Sequence, residues 1–121
     1  EVNGLSAIVI SKLNASGFPV WTNYQDSDGG DNDIGHGVAF DVSGNLIAVG
    51  EEYTANDFAR SWVRKYDPMG LELWTQVFDG QDAGNDIAWA VAVDDGGFVY
   101  AAGEEYAVGQ FAEVWVRKYA P

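Results

Sequence analysis

The sequence predicts an all-β fold made of repeated four-stranded antiparallel sheets. Three observations support this fold class. The chain of 121 residues repeats itself at an interval of 53 residues. Each period contains four short runs rich in Val, Tyr, Trp and Phe, which favour β-strands. Turns rich in glycine and aspartate separate these runs, and none of the runs has the 3.6-residue periodicity of an amphipathic helix.

The repeat can be followed through the whole chain without a gap. Its longest identical stretches are GEEY (50–53 and 103–106) and WVRKY (62–66 and 115–119). The same interval places Lys12 and Gly17 in register with Lys65 and Gly70, so residues 7–17 form a third, diverged copy of residues 60–70. We therefore expect a partial repeat over 1–16, a first full repeat over 17–69 and a second over 70–121.

The second period shows the predicted strands and turns most clearly. Its strands are expected at residues 71–78, 87–94, 98–106 and 113–119. Tight turns are expected at 41–45, 67–70 and 94–97, where glycine can take a positive φ and Pro68 suits the turn. Four antiparallel strands that recur every 40–50 residues or so are typical of a β-propeller blade.

Four stretches of the repeats are distinctive: GVAFDVSGNLIAVG, AVAVDDGGFVYAAG, WVRKYDPMG and LELWT. They resemble a known family, the bacterial beta-propeller repeats called SBBP repeats. The sequence departs from the family at Glu51-Glu52 and Glu104-Glu105, where the family usually has small or aromatic residues. The resemblance implies a non-catalytic repeat scaffold in exported or surface bacterial proteins, and hence an extracellular or cell-surface location.

By analogy with related propellers, the GVAFD strand is innermost and the LWT strand outermost. The chain then runs as the last two strands of one blade, one full blade and three strands of another. Because a blade must bury two faces and propellers need about 4–8 blades, we expect the chain to associate with copies of itself. Strand exchange would close a ring or continue into a filament. The alternative is a fragment of a larger, adhesin-like surface protein.

Composition excludes several classes of function. Aspartate and glutamate number 19 against 6 lysines and arginines, which gives a net charge of −13. Such a protein repels nucleic-acid backbones and anionic membranes, so neither is an expected partner. The absence of cysteine excludes thiolate catalysis and cysteine-ligated metals. The sequence has no apolar run of about 18 residues, so membrane insertion is not expected.

A candidate ligand site lies on one predicted hairpin in each repeat. With pairing numbers that sum near 115, Glu51 faces Arg64 and Tyr53 faces Trp62. The site residues are Glu51, Trp62 and Arg64, with the copies Glu104, Trp115 and Arg117. One interpretation is a structural ion pair flanked by aromatic rings, and the other is a carbohydrate pocket in a lectin-like oligomer. Adjacent Glu51 and Glu52 point to opposite faces, so they cannot flank a glycosidic bond, and no enzyme activity is expected.

Two further features are candidate sites, an acidic loop and the single histidine. The acidic loop offers oxygen ligands that would suit calcium, at Asp26, Asp28, Asp31 and Asp33. The alternative is a solvated turn in a very acidic protein. The single histidine, His36, is replaced by Trp89 in the other repeat, which favours a strand residue near a blade edge over a catalytic base.

Overall fold

A computed structural model describes residues 7–25, 32–53, 58–80, 84–106, 109 and 111–121. All regular secondary structure in these ranges is β-strand, which confirms the all-β prediction. The described strands are β1 (Ile8–Leu13), β2 (Pro19–Gln25), β3 (Asp33–Phe40), β4 (Leu46–Tyr53), β5 (Ala59–Tyr66), β6 (Glu72–Phe78), β7 (Asp86–Val93), β8 (Val99–Glu105) and β9 (Glu113–Tyr119). None of the described residues belongs to a helix that could span a membrane.

The described strands form three antiparallel sheets. The N-sheet is β1-β2, the middle sheet is β3-β4-β5-β6, and the C-sheet is β7-β8-β9. This grouping agrees with the expected succession of two strands, one full set of four and three further strands. Strand positions follow the 53-residue interval, since Asp33–Phe40 is matched by Asp86–Val93 and Pro19–Gln25 by Glu72–Phe78. Residues 53 apart therefore occupy equivalent places in neighbouring sheets.

Four tight turns at the same end of the sheets share one construction. Each begins with Asn14, Asp41, Asp67 or Asp94 and has glycine three residues later, with φ between 81° and 88°. The first side chain accepts hydrogen bonds from the amides two and four residues ahead, as Asp41 does from Ser43 at 3.0 Å and Asn45 at 2.9 Å. The predicted turns are confirmed, and the turn at 14–17 is an additional member of the set.

The middle sheet is buried on both faces. Because side chains alternate along a strand, Ile47, Val49 and Val63 point to one face and their neighbours to the other. The first face packs against the C-sheet, in a cluster with Ala88, Val99, Ala101 and Trp115. The second face, with Leu46, Ala48, Trp62 and Tyr66, packs against Ile8 and Ile10 of the N-sheet. The middle sheet therefore supplies one side of each hydrophobic core.

A tryptophan lies across a glycine of the neighbouring strand in both larger sheets. Gly50 is the partner of Trp62 in the β4–β5 ladder, and Gly103 is the partner of Trp115 in β8–β9. A Cβ at Gly50 would lie 2.5 Å from the Trp62 indole and would overlap the carbonyl oxygen of Ile34. The same overlap exists at Gly103, with Trp115 and the carbonyl of Ile87. Only glycine admits the ring at these two places.

This packing predicts a large difference between two neighbouring glycines. Gly50→Ala should lower the free energy of unfolding by about 3 kcal/mol, since the methyl group overlaps backbone as well as the indole. Gly35→Ala is the matched control, because Gly35 pairs with Gly50 and its added Cβ would meet only Ile8, at 3.5 Å. Urea unfolding followed by tryptophan fluorescence measures both. Equal losses in the two variants would contradict the packing argument.

Candidate functional site

The predicted register of the β4–β5 hairpin is wrong by three residues. Glu51 lies opposite Ser61 instead of Arg64, and Arg64 lies opposite Ala48. Because the shift is odd, it exchanges faces, and Glu51 points away from the face that carries Trp62 and Arg64. The observed register is favoured because it brings the Trp62 ring over Gly50, where no side chain competes for the space.

The carboxylate that binds Arg64 belongs to Glu52, the neighbour of the predicted residue. Glu52 is 4% exposed and accepts hydrogen bonds from Arg60 Nε at 2.8 Å and Arg64 Nη2 at 3.0 Å. Arg64 also donates from Nη1 to Gln25 Oε1 of the N-sheet at 3.1 Å, and its guanidinium carbon lies 4.6 Å from the Trp62 ring centroid. This network, centred on the buried Glu52 carboxylate, joins the two arms of the hairpin and reaches the neighbouring sheet.

Glu51 occupies a different environment on the opposite face. Its carboxylate is buried, with Oε1 at 3.5 Å from His36 Nε2. Burial raises the pKa of Glu51, and the nearby His36 opposes that rise only in part. The second oxygen, Oε2, is buried without a hydrogen-bond partner among the described residues. The ionised form of Glu51 is therefore poorly compensated.

His36 and Trp89 form a contact that sequence reasoning did not find. Each lies at a β-bulge, His36 between Gly35 and Gly37 and Trp89 between Ala88 and Ala90. Their ring centroids are 4.3 Å apart across the junction of the middle sheet and the C-sheet. His36 does lie in an edge strand of its sheet.

The two bulge residues also contact equivalent glutamates. Trp89 Nε1 donates to Glu104 Oε1 at 2.8 Å, as His36 contacts Glu51. The signal was present in the sequence, because the 53-residue interval relates 36 to 89 and 51 to 104. The two bulges therefore carry equivalent contacts to a glutamate, made by an imidazole in one sheet and by an indole in the other.

The copied residues in the C-sheet are divided in the same way as their originals. The guanidinium carbon of Arg117 lies 3.3 Å from the ring centroid of Phe78 and 5.6 Å from that of Trp115. Phe78 is equivalent to Gln25, so an aromatic ring replaces the amide that Arg64 contacts. Trp62 is 1% exposed and Trp115 is 9% exposed. In each sheet the glutamate thus lies on the face opposite to the tryptophan and the arginine, and both tryptophan rings are covered.

The predicted calcium ligands fall mostly on residues that the structure does not describe. Asp26, Asp28 and Asp31 lie outside the described residues, and Asp33 is buried at the start of β3. Within the described ranges no group of three or more acidic or histidine side chains is placed to hold a metal ion. Calcium binding stays a prediction.

Two further buried aspartates have clear structural roles. Burial raises the pKa of Asp86, the equivalent of Asp33, and its hydrogen bond from the Gly80 amide offsets this only in part. Asp41 Oδ2 forms an ion pair with Lys65 Nζ at 3.0 Å. The Asp41 side chain is 4% exposed and the Lys65 side chain is 6% exposed. Burial acts to raise the pKa of Asp41, but the hydrogen bonds from Asn45 and Lys65 outweigh it and leave the pKa below its ordinary value.

Both outer sheets present an apolar face to solvent. On the C-sheet, Val116 is 69% exposed, whereas its equivalent in the middle sheet, Val63, is 2% exposed. On the N-sheet, Leu13 is 54% exposed, whereas its equivalent, Tyr66, is fully buried. Other exposed apolar side chains on these faces are Val9, Val20, Tyr24 and Val114. Each outer face thus corresponds in position to a face that is covered in the middle sheet.

No family model matches the chain, and no curated protein matches it. The resemblance to SBBP repeats therefore rests on the repeated stretches themselves and stays a prediction.

The observed register makes a prediction that separates two adjacent glutamates. Glu52→Gln should lower the free energy of unfolding by about 3 kcal/mol, because it leaves the nearly buried Arg64 without its counter-charge. Glu51→Gln, the matched control, should cost less or stabilise the fold at pH 7, because it removes a buried charge with few partners. Chemical unfolding measures both variants. The opposite order would support the register in which Glu51 pairs with Arg64.

The buried carboxyl groups also predict the pH dependence of stability. Where a pKa is raised in the folded state, the folded chain binds more protons than the unfolded chain, so stability falls as pH rises above the ordinary pKa. Glu51 and Asp86 have raised pKa values, so the melting temperature should rise as the pH is lowered from neutral toward the ordinary carboxyl pKa of about 4. Below about pH 4, protonation of Asp41 should reverse the trend. A double Glu51→Gln, Asp86→Asn variant should show a flatter profile on the neutral side of about pH 4, and an unchanged slope there would contradict this account.

Proposed function

We propose that this protein is a self-associating, non-enzymatic structural protein whose copies join end to end. The observation that carries the proposal is the pair of exposed apolar faces on the N-sheet and the C-sheet. Val116 and Leu13 are more than half exposed, while their equivalents in the middle sheet are buried. Contiguous apolar surface of this kind marks an interaction site in a soluble protein.

The repeat also indicates which faces would meet. Within one chain, the C-sheet covers one face of the middle sheet, and the N-sheet covers the other. The outer face of the C-sheet is equivalent to the first of these, and the outer face of the N-sheet to the second. Packing the outer face of the C-sheet of one copy against a face of the second kind in the next copy would repeat the packing already present within the chain. Such head-to-tail contacts generate a ring if the rotation closes and a filament if it does not.

A closed ring would be a propeller, as the resemblance to SBBP repeats implies. If strands from the N-sheet of one copy complete the C-sheet of the next, each copy accounts for two blades. Three copies would then supply six blades and four copies eight, within the usual range of about 4–8. The extracellular or cell-surface location rests on the resemblance alone and stays a prediction.

The use made of the polar residues supports a structural role. Arg60 and Arg64 both bind the carboxylate of Glu52, and Lys65 binds Asp41. His36 and its equivalent Trp89 both contact a glutamate of their own sheet, and tryptophan in that place has no acid–base chemistry. Side chains that are occupied in this way hold the sheets together. No described contact in this network favours the alternative of carbohydrate binding.

Charges on the outer face of the C-sheet should prevent association. Val114→Glu with Val116→Glu places two carboxylates where the equivalent middle-sheet residues, Ser61 and Val63, are each 2% exposed. We expect the native chain to be oligomeric by light scattering and the double variant to have the mass of one chain. Val42→Glu with Met69→Glu is the control, because both residues are more than three-quarters exposed in tight turns. Equal masses for the two variants, or a monomeric native chain, would contradict the proposal.

Ionic strength should affect the assembly in a defined direction. With a net charge of −13, copies of the chain repel one another at low salt. Since the Debye length falls from about 30 Å at 0.01 M to about 10 Å at 0.1 M salt, added NaCl should increase the average mass. Sedimentation velocity at a fixed protein concentration measures this. A mass that falls on addition of salt would indicate an interface held by ion pairs instead of apolar contact.

A further inference from the structure

β1 of the N-sheet and β9 of the C-sheet are both equivalent in the repeat to β5 of the middle sheet. β1 pairs with β2 as β5 pairs with β6, and both ladders are irregular at the same point, between Lys12 and Leu13 and between Lys65 and Tyr66. β9 is the equivalent of β5 as well, but its outer edge has no partner strand among the described residues. β1 and β9 are thus alternative third strands for a complete four-stranded sheet.

The space beside β1 is the place where two more strands would lie. A groove of about 580 Å³ runs between β1 and the face of β3 and β4, and includes Gly37, Ala48 and Trp62 in its lining. On the other face of the middle sheet, the equivalent place is filled by β7 and β8 of the C-sheet, whose Ala88, Val99 and Ala101 are fully buried there. The groove therefore corresponds to the position of a β7–β8 hairpin.

β9 contributes aromatic side chains to the packing of its own chain, whereas β1 has no aromatic residue. Trp115 of β9 lies across Gly103, and Arg117 stacks on the Phe78 ring. The ring centroids of Tyr119 and Trp74 are 6.2 Å apart. β1 contributes Ile8 and Ile10 to a core, with Lys12 reaching the carbonyl oxygen of Pro68 at 3.5 Å. In the place of Trp115, β1 has Val9, which is 55% exposed.

On the basis of the proposed function, we propose that copies join by strand exchange, in which β9 of a second copy displaces β1 and pairs with β2. The product is a sheet in the order β7-β8-β9-β2, which repeats the order of the middle sheet. Val114 and Val116 of the second copy take the places of Ile8 and Ile10, and its β7–β8 hairpin fills the groove. This buries the exposed face of β9 without breaking its contacts to its own chain. In the single copy, β1 covers an edge of β2 that would otherwise be open.

A disulfide lock on β1 tests this exchange. Ser11 and Thr22 are partners in the β1–β2 ladder, with Oγ and Oγ1 3.0 Å apart, and the chain contains no cysteine. In the Ser11→Cys, Thr22→Cys variant, the oxidised protein should stay at the mass of one chain, and reduction should restore the mass of the native assembly. The reduced form is the control for any effect of the substitutions on folding.

A cross-link between copies tests which strand pairs with β2. Ser61 pairs with Phe78 in the β5–β6 ladder, and the 53-residue interval relates Ser61 to Val114 and Phe78 to Gln25. Val114 of the second copy should therefore lie opposite Gln25. A mixture of Val114→Cys and Gln25→Cys proteins should give a mixed disulfide at least ten times faster than a mixture of Glu113→Cys and Gln25→Cys, because Glu113 points to the other face. A Ser11→Cys and Ala101→Cys mixture, which would pair β1 with β8, should not cross-link.

The outcomes separate the two proposals. If the native chain and the locked chain assemble equally, or if Ser11 and Ala101 cross-link instead, strand exchange by β9 is wrong while self-association stands. If the native chain has the mass of one copy under all conditions, the proposed function is wrong and the exchange fails with it.

Discussion

The structure depends on the burial of both faces of the middle sheet. In β4, Ile47 and Val49 contact one neighbouring sheet while Leu46 and Ala48 contact the other. A sheet with apolar residues on both faces is stable only between two other layers, so the fold grows by adding sheets on either side. The same alternation in the outer sheets leaves one apolar face uncovered at each end. The composition that stabilises the centre of the molecule thus creates the surfaces on which we base self-association.

The tryptophan–glycine pairs fix how the strands are aligned. The period, the strand positions and the turns could be predicted, because they depend on residues that are close together in sequence, such as Asp41 and Gly44 in one turn. The alignment of β4 with β5 could not be predicted in this way, since it depends on where a ring fits across the sheet. Gly50 provides that place for Trp62, and the resulting register makes Glu52 instead of Glu51 the partner of Arg64. Sequence reasoning found the right pair of residue types and the wrong glutamate.

The contact between His36 and Trp89 shows how the repeat can change in sequence while its geometry is kept. Both residues lie at the same bulge of their sheets, and both direct a ring nitrogen toward the equivalent glutamate. An imidazole and an indole share the ability to donate a hydrogen bond and to stack, but only the imidazole titrates near neutral pH. A function that required proton transfer would not tolerate this exchange in every repeat. Repetition with a change of chemistry therefore favours a packing role for the pair.

Strand exchange would resolve the mismatch between nine described strands and sheets of four. The middle sheet uses four strands, and a shared sheet would take three from one copy and one from the next, so each copy would use eight. The ninth strand, β1, is then an internal competitor of β9 for the same partner. Its presence would raise the barrier to assembly without changing the final packing, because β1 would have to leave before β9 could pair with β2. A chain with this competitor would therefore assemble more slowly than one without it. Until a second copy arrived, β1 would cover a strand edge that could otherwise promote random aggregation.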